Sequence, residues 1–160
     1  MRWFRTSSSS GFTFVELIVT TAVIMILASA SLPIARVSIR RQKEALLRNT
    51  LRETRLAIDN FKNRCDQGQI SSLEVQAGNE CYPSSLDQLV EGVSVANDVT
   101  GKKWKFLRRI PIDPVLGRAE WGLRAYADNP NSTAWGGGSV YDLYSKAEGV
   151  GLDGTKYKDW

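Results

Sequence analysis

The sequence predicts an α+β fold: a long N-terminal helical spine, its first half transmembrane, packed against a small antiparallel β-sheet head. Three observations carry that prediction. Phe12 to Leu32 is a 21-residue run of apolar and small hydroxyl residues broken by a single acid, Glu16. From residue 34 to 64, apolar positions recur at helical spacing among many bases. Beyond Cys65 the chain is rich in turn residues and carries two short alternating stretches, Trp121 to Ala127 and Ser139 to Ser145.

A chain of 160 residues supplies one modest domain beside such a helix. Lys and Arg number 21 against 17 Asp and Glu, but the excess is uneven. Residues 36–64 hold nine basic and three acidic side chains, and residues 65–160 hold ten and thirteen. A nucleic-acid-binding domain concentrates positive charge on its folded part, so no nucleic acid is expected as partner of this head. There is no histidine, which removes the commonest general base and metal ligand together. The two cysteines, Cys65 and Cys81, cannot form a four-thiolate zinc site. In an exported chain they are expected to form a disulfide closing a loop of about 17 residues, worth about 3 kcal/mol. In a reducing compartment they would remain thiols.

Residues 1–11 are short and polar, with Arg2 and Arg5 and no acid, which holds a leader on the cytoplasmic side. The apolar run that follows is about 30 Å long as a helix, one hydrocarbon core. A secretory signal is cut after such a run, and Ala28-Ser29-Ala30 is the small-x-small candidate for that cut. The alternative cut, between Gly11 and Phe12, leaves the helix on the mature protein. Glu16 is the costly residue in the run, because a carboxylate in hydrocarbon must be paired or must snorkel to the headgroups.

Pro33 removes a backbone donor and predicts a kink or local break. The amphipathic continuation over 34–64 puts Leu47, Leu51, Ile58 and Phe61 on one face, with Arg36, Arg40, Arg41, Lys43, Arg48, Arg52 and Arg55 elsewhere. Glu44 and Arg48 have the spacing of an i,i+4 pair. In the head, 65–160, Ser85 and Gln88 form a capping box for a two-turn helix that Gly92 stops. Lys105 to Pro114 is a short segment halted by two prolines. Asp128 to Gly138 is the connection of a hairpin whose strands need the spine as the other wall of a core.

The string Gly11-Phe12-Thr13-Phe14-Val15-Glu16, followed by the apolar run and Pro33, resembles the processing site of type IV prepilins and pseudopilins. The resemblance implies a type IV pilin-like fold divided into a leader (1–11), a transmembrane and filament-core helix (12–33), an amphipathic spine (34–64) and a head (65–160). It implies cleavage after Gly11 by a prepilin peptidase and N-methylation of Phe12. It also implies that Glu16 meets the free amine of Phe12 on a neighbouring subunit. The expected partners are further copies in a helical filament, minor pseudopilins or pilins, an inner-membrane assembly platform and membrane lipid.

The head is similar to the major pseudopilin of type II secretion. The similarity lies in Tyr82-Pro83 before a Leu-rich helix, Phe106-Leu107 to Asp113-Pro114, Trp121-Gly122, Val140 to Ser145, and Asp153-Gly154 near Trp160. That similarity implies a periplasmic pseudopilus subunit, anchored by a single pass in the bacterial inner membrane. The alternative is a pilin of a surface fibre serving adhesion, twitching or DNA uptake. Two departures stand out. Major pseudopilins generally lack the cysteine pair, and their calcium-binding loop is richer in acids than Lys146 to Asp159. Glu148, Asp153 and Asp159 are the candidate calcium ligands here. An enzyme is not expected: besides histidine, a Gly-x-Ser-x-Gly elbow and a phosphate loop are missing. Acid pairs such as Asp128 with Asp142 are the only glycosidase-like feature.

Overall fold

The computed structural model describes residues 11–75, 78–98 and 100–160. Its first element, α1, is a helix from Phe14 to Asp66. Thr13 starts it: the Glu16 N–H donates to the Thr13 hydroxyl at 3.2 Å and the Leu17 N–H to the Thr13 carbonyl at 3.1 Å. Gly68 ends it at φ 68°, and the Gln69 N–H returns to the Arg64 carbonyl at 2.9 Å. The helix is continuous through Pro33, so the local break expected there does not occur. A proline within a helix forfeits its own hydrogen bond, and the flanking turns can absorb that loss.

The chain divides into two compact units, 1–39 and 40–160. In the first, the apolar side chains of the helix face outward, with Phe14 78% and Ile26 69% exposed. By length and composition this stretch is able to cross a membrane.

In the second unit, Leu47, Leu51, Ile58 and Phe61 are all buried, as their spacing predicts. They form the core with Leu89, Val93, Val140 and Leu143 from the head. Helix α2, Leu86–Glu91, is capped by Ser85, whose Oγ accepts from the Gln88 N–H at 3.3 Å. The return bond of the box lands one residue early, on the Ser84 N–H at 2.8 Å. Gly92 closes α2 at φ 83°, where an added Cβ would lie 2.7 Å from the Trp104 carbonyl oxygen.

Two antiparallel pairs follow. Strands β1, Val93–Ser94, and β2, Lys103–Trp104, pair as a short ladder that the sequence reading did not anticipate. Strands β3, Trp121–Arg124, and β4, Asp142–Ser145, are the expected hairpin in shorter form. Beyond β3 the Ala125 N–H is taken by the Asp128 carboxylate at 2.7 Å, which starts the turn early. Before β4 the Val140 N–H leaves the ladder for the Pro83 carbonyl at 2.7 Å. The alternation expected along β3 gives way to burial of Trp121, Gly122 and Arg124 alike. Gly122 is covered because Tyr144 lies opposite it; a Cβ there would be 2.1 Å from the tyrosine ring. A 3-10 turn, Tyr157–Asp159, ends the chain.

Candidate processing and assembly site

Gly11, Phe12 and Thr13 precede the helix and are exposed, Phe12 by 77%. A Cβ built on Gly11 meets no atom within 4 Å, so the fold itself makes no demand for glycine there. Residues 1–10 of the expected leader lie outside the described residues. Glu16 sits in the first turn of α1, where the positive end of the helix dipole favours an acid. Among the described residues its carboxylate has no hydrogen bond or ion pair. The structure therefore offers an open glycine joint, an exposed aromatic and an unpartnered acid along one segment. Thr13-x-x-Glu16 has the spacing of a capping box, a local signal present in the sequence, and the Thr13 half of it forms.

Cys65 and Cys81 form a disulfide with Cα atoms 5.6 Å apart. It ties the end of α1 to the start of the α2 segment. Glu80 and Cys81 lie beside it in the left-handed region, at φ 48° and 63°. Such backbone costs energy and persists where the surroundings fix it, here by the cross-link.

The three candidate calcium ligands are not gathered together. Among the described residues no group of three or more His, Cys, Asp or Glu side chains is placed to hold a metal. Asp153 pairs with the Arg48 guanidinium and accepts from the Thr155 hydroxyl at 2.6 Å. The Thr155 hydroxyl, its amide and nearby Arg48 hold the Asp153 carboxyl below the usual carboxylate range. As arranged, these residues do not fit a calcium cage.

The loop is instead held by α1. The expected Glu44–Arg48 pair is absent, because each side chain reaches elsewhere. Glu44 is buried and pairs with Arg40 at 3.1 Å. It also accepts from the Leu152 N–H at 3.1 Å and the Tyr157 hydroxyl at 2.9 Å. Arg55 donates to Asp142 at 2.7 Å and to the Trp160 carbonyl at 2.8 Å. Arg124, 9% exposed at its side chain, donates to Asp142 at 3.3 Å and to the Lys158 carbonyl at 3.1 Å. Apart from the i,i+4 Arg40–Glu44 pair, no local sequence signal marks these contacts, which join residues 18 to 113 positions apart.

The acid pair considered for glycoside chemistry is structurally engaged. Asp142 lies between two arginines, and Asp128 accepts from the Ala125 and Gly136 amides at 2.7 and 3.0 Å. Asp113, within the proline-flanked motif, is fully buried and accepts from the Ser145 hydroxyl and from the Val115 and Leu116 amides. It locks that segment onto β4.

Residues 6–32 match the family model of the prokaryotic N-terminal methylation motif. Together with the outward-facing apolar helix, the match supports a type IV filament-type, prepilin-like character for this segment. The match and the helix indicate membrane anchoring, and proteins with this motif are generally structural subunits processed by a prepilin peptidase. The match ends at residue 32 and does not extend to the head. No curated protein and no solved structure matches the chain.

Proposed function

We propose that this chain is a structural subunit of the periplasmic pseudopilus of a type II secretion system. The observation that carries the filament reading is the methylation motif on an apolar N-terminal stretch of α1 whose side chains are exposed and whose one acid, Glu16, has no partner among the described residues. In this reading Gly11 is the cut site, Phe12 the methylated terminus and Glu16 the acid that meets a neighbour's amine. Pairing would neutralise both charges where the dielectric is low and fix the stagger between copies. The secretion branch rests on the head pattern from Tyr82-Pro83 to Asp153-Gly154 and Trp160. A surface pilin is the second reading: major pseudopilins generally lack a cross-link such as Cys65–Cys81, while many pilins carry one nearer the C-terminus than this one, which follows the spine.

Intact mass of the membrane-extracted protein tests the first step. The expected species starts at Phe12, carries one methyl group and lacks two hydrogens at the cysteines. Material that begins at Met1, or that has lost the apolar helix, would overturn the reading. Short periplasmic assemblies support the secretion branch, and long extracellular fibres support the pilin.

A further inference from the structure

Charge in the head is segregated along the chain. Residues 65–101 carry six acids and no base; residues 102–109 carry five bases and no acid. Averaging over the head hides both blocks. Lys102, Lys103, Lys105, Arg108 and Arg109 are all exposed, on a backbone that is firmly held. Lys103 lies in β2 opposite Ser94, and the Phe106 and Leu107 amides donate to the Leu89 carbonyl at 3.0 and 2.9 Å. None of the five joins an ion pair among the described residues.

The acidic block is open only in part. Asp66 pairs with Lys62, Glu74 accepts from Ser94, and Asp98 accepts from Thr100 and the Lys102 amide. Glu80, Asp87 and Glu91 are exposed and form no ion pair among the described residues. Asp87 and Glu91 stand four apart on α2 and so share a face. The two blocks are neighbours, since a Cβ on Gly92 would lie 2.8 Å from Lys105 Cγ. Thr100 first, and Lys102 after it, hold the Asp98 carboxyl low, but no ion pair joins the blocks among the described residues.

We propose that the basic strip 102–109 of one copy docks on the Asp87 and Glu91 face of α2 in the next. This rests on the filament reading and adds a head-to-head contact to it. Repeated in one direction along the filament, this strip-to-acid contact is heterologous and propagates, whereas the same patches meeting reciprocally about a two-fold axis would close as a dimer. A phosphate polymer or an anionic membrane fits the strip less well. Trp104 is engaged by Arg64 at 3.9 Å and by Lys102 at 5.2 Å, and Phe106 packs against Phe61 at 5.4 Å. Both rings are thus occupied inside the chain, where a base or a headgroup layer would need them free. The α2 acids beside the strip would also repel phosphate.

The test is charge reversal in the full chain, expressed in cells that assemble the wild type. Lys103→Glu with Lys105→Glu, or Asp87→Lys with Glu91→Lys, is expected to cut filament yield about tenfold or more. All four changes in one chain should restore most of it, with membrane insertion and melting of each extracted protein unchanged. Wild-type yield from either reversal would overturn the contact and leave the filament reading standing; no filament from the wild type would overturn both. Filament yield untouched by reversal, with strip-dependent retention of duplex DNA or anionic vesicles, would assign the strip to phosphate and reject the proposal. A second measurement avoids reversal. Copies carrying Lys103→Cys and copies carrying Glu91→Cys should cross-link to each other within filaments under mild oxidation, and failure to do so counts against the contact.

Discussion

Glu16 combines two properties that usually exclude each other: it is the single acid of an apolar run, and its carboxylate has no partner among the described residues of its own chain. Its backbone is already secured by Thr13 through the amide, which a side-chain change does not touch. Glu16→Ala should therefore insert in the membrane with normal helicity, while the assembled fraction falls about tenfold, the loss of roughly one charge-assisted contact. Wild-type assembly by sedimentation of membrane extracts would reject the pairing role. Gly11→Ala separates fold from processing, since a methyl group there meets empty space. It should leave insertion intact and slow the appearance of the mature mass. A third residue-scale expectation concerns acid. The amides of Gly136 and then Ala125 hold the Asp128 carboxyl below the usual carboxylate range. A group depressed in the folded state contributes stability that is present at neutral pH and lost as pH falls below about 4. The Gly136 amide resonance should follow that titration, with a midpoint below that of an ordinary aspartate. In Asp128→Asn it should no longer move.

Between elements, Asp142 on β4 joins Arg55 of α1 to Arg124 of β3, so one carboxylate ties the spine to both strands of the hairpin. Removing it strands the nearly buried Arg124 guanidinium without its acid. Asp142→Ala should cost about 3 kcal/mol in chemical denaturation of the detergent-extracted protein, and Asp142→Asn, which keeps hydrogen-bond acceptance, clearly less. Equal losses would mean that packing rather than charge is what Asp142 supplies. The sequence showed the elements that this residue connects but not the connection. Helix α2 was legible from Ser85, Gln88 and Gly92, and the spine from the spacing of Leu47, Leu51, Ile58 and Phe61, because caps and periods are local signals. Strands β1 and β2 are two residues each, too short for any period, and exist because α2 delivers Val93 opposite Trp104. The Trp121-Gly122 motif was visible as a pattern. Its reason, a tyrosine ring lying across the glycine, belongs to the strand register and cannot be read along one segment.

At the scale of the whole head, what fastens the C-terminal segment is the property in which sequence resemblance and structure part ways. The resemblance offered Glu148, Asp153 and Asp159 as candidate calcium ligands, in a loop poorer in acids than the family's. The structure gives Asp153 a guanidinium partner and leads the loop onto Glu44 of the spine, with further arginine contacts to the carbonyls of Val150, Lys158 and Trp160. A guanidinium and a divalent cation compete for the same carboxylate, and the guanidinium is tethered, so its effective concentration at Asp153 is set by the fold rather than by the medium. The consequence is testable as a pair. Chelation with EDTA, and calcium added back, should leave the melting temperature of the extracted full chain unchanged within about 1 °C. Glu44→Ala should lower stability by about 2 kcal/mol, because the buried Tyr157 hydroxyl and the Leu152 amide both lose their acceptor. It should also open the segment after Gly149 to protease while β3 and β4 remain protected. A calcium-dependent rise in melting temperature of several degrees would reverse the assignment, since the metal would then have to displace Arg48 from Asp153.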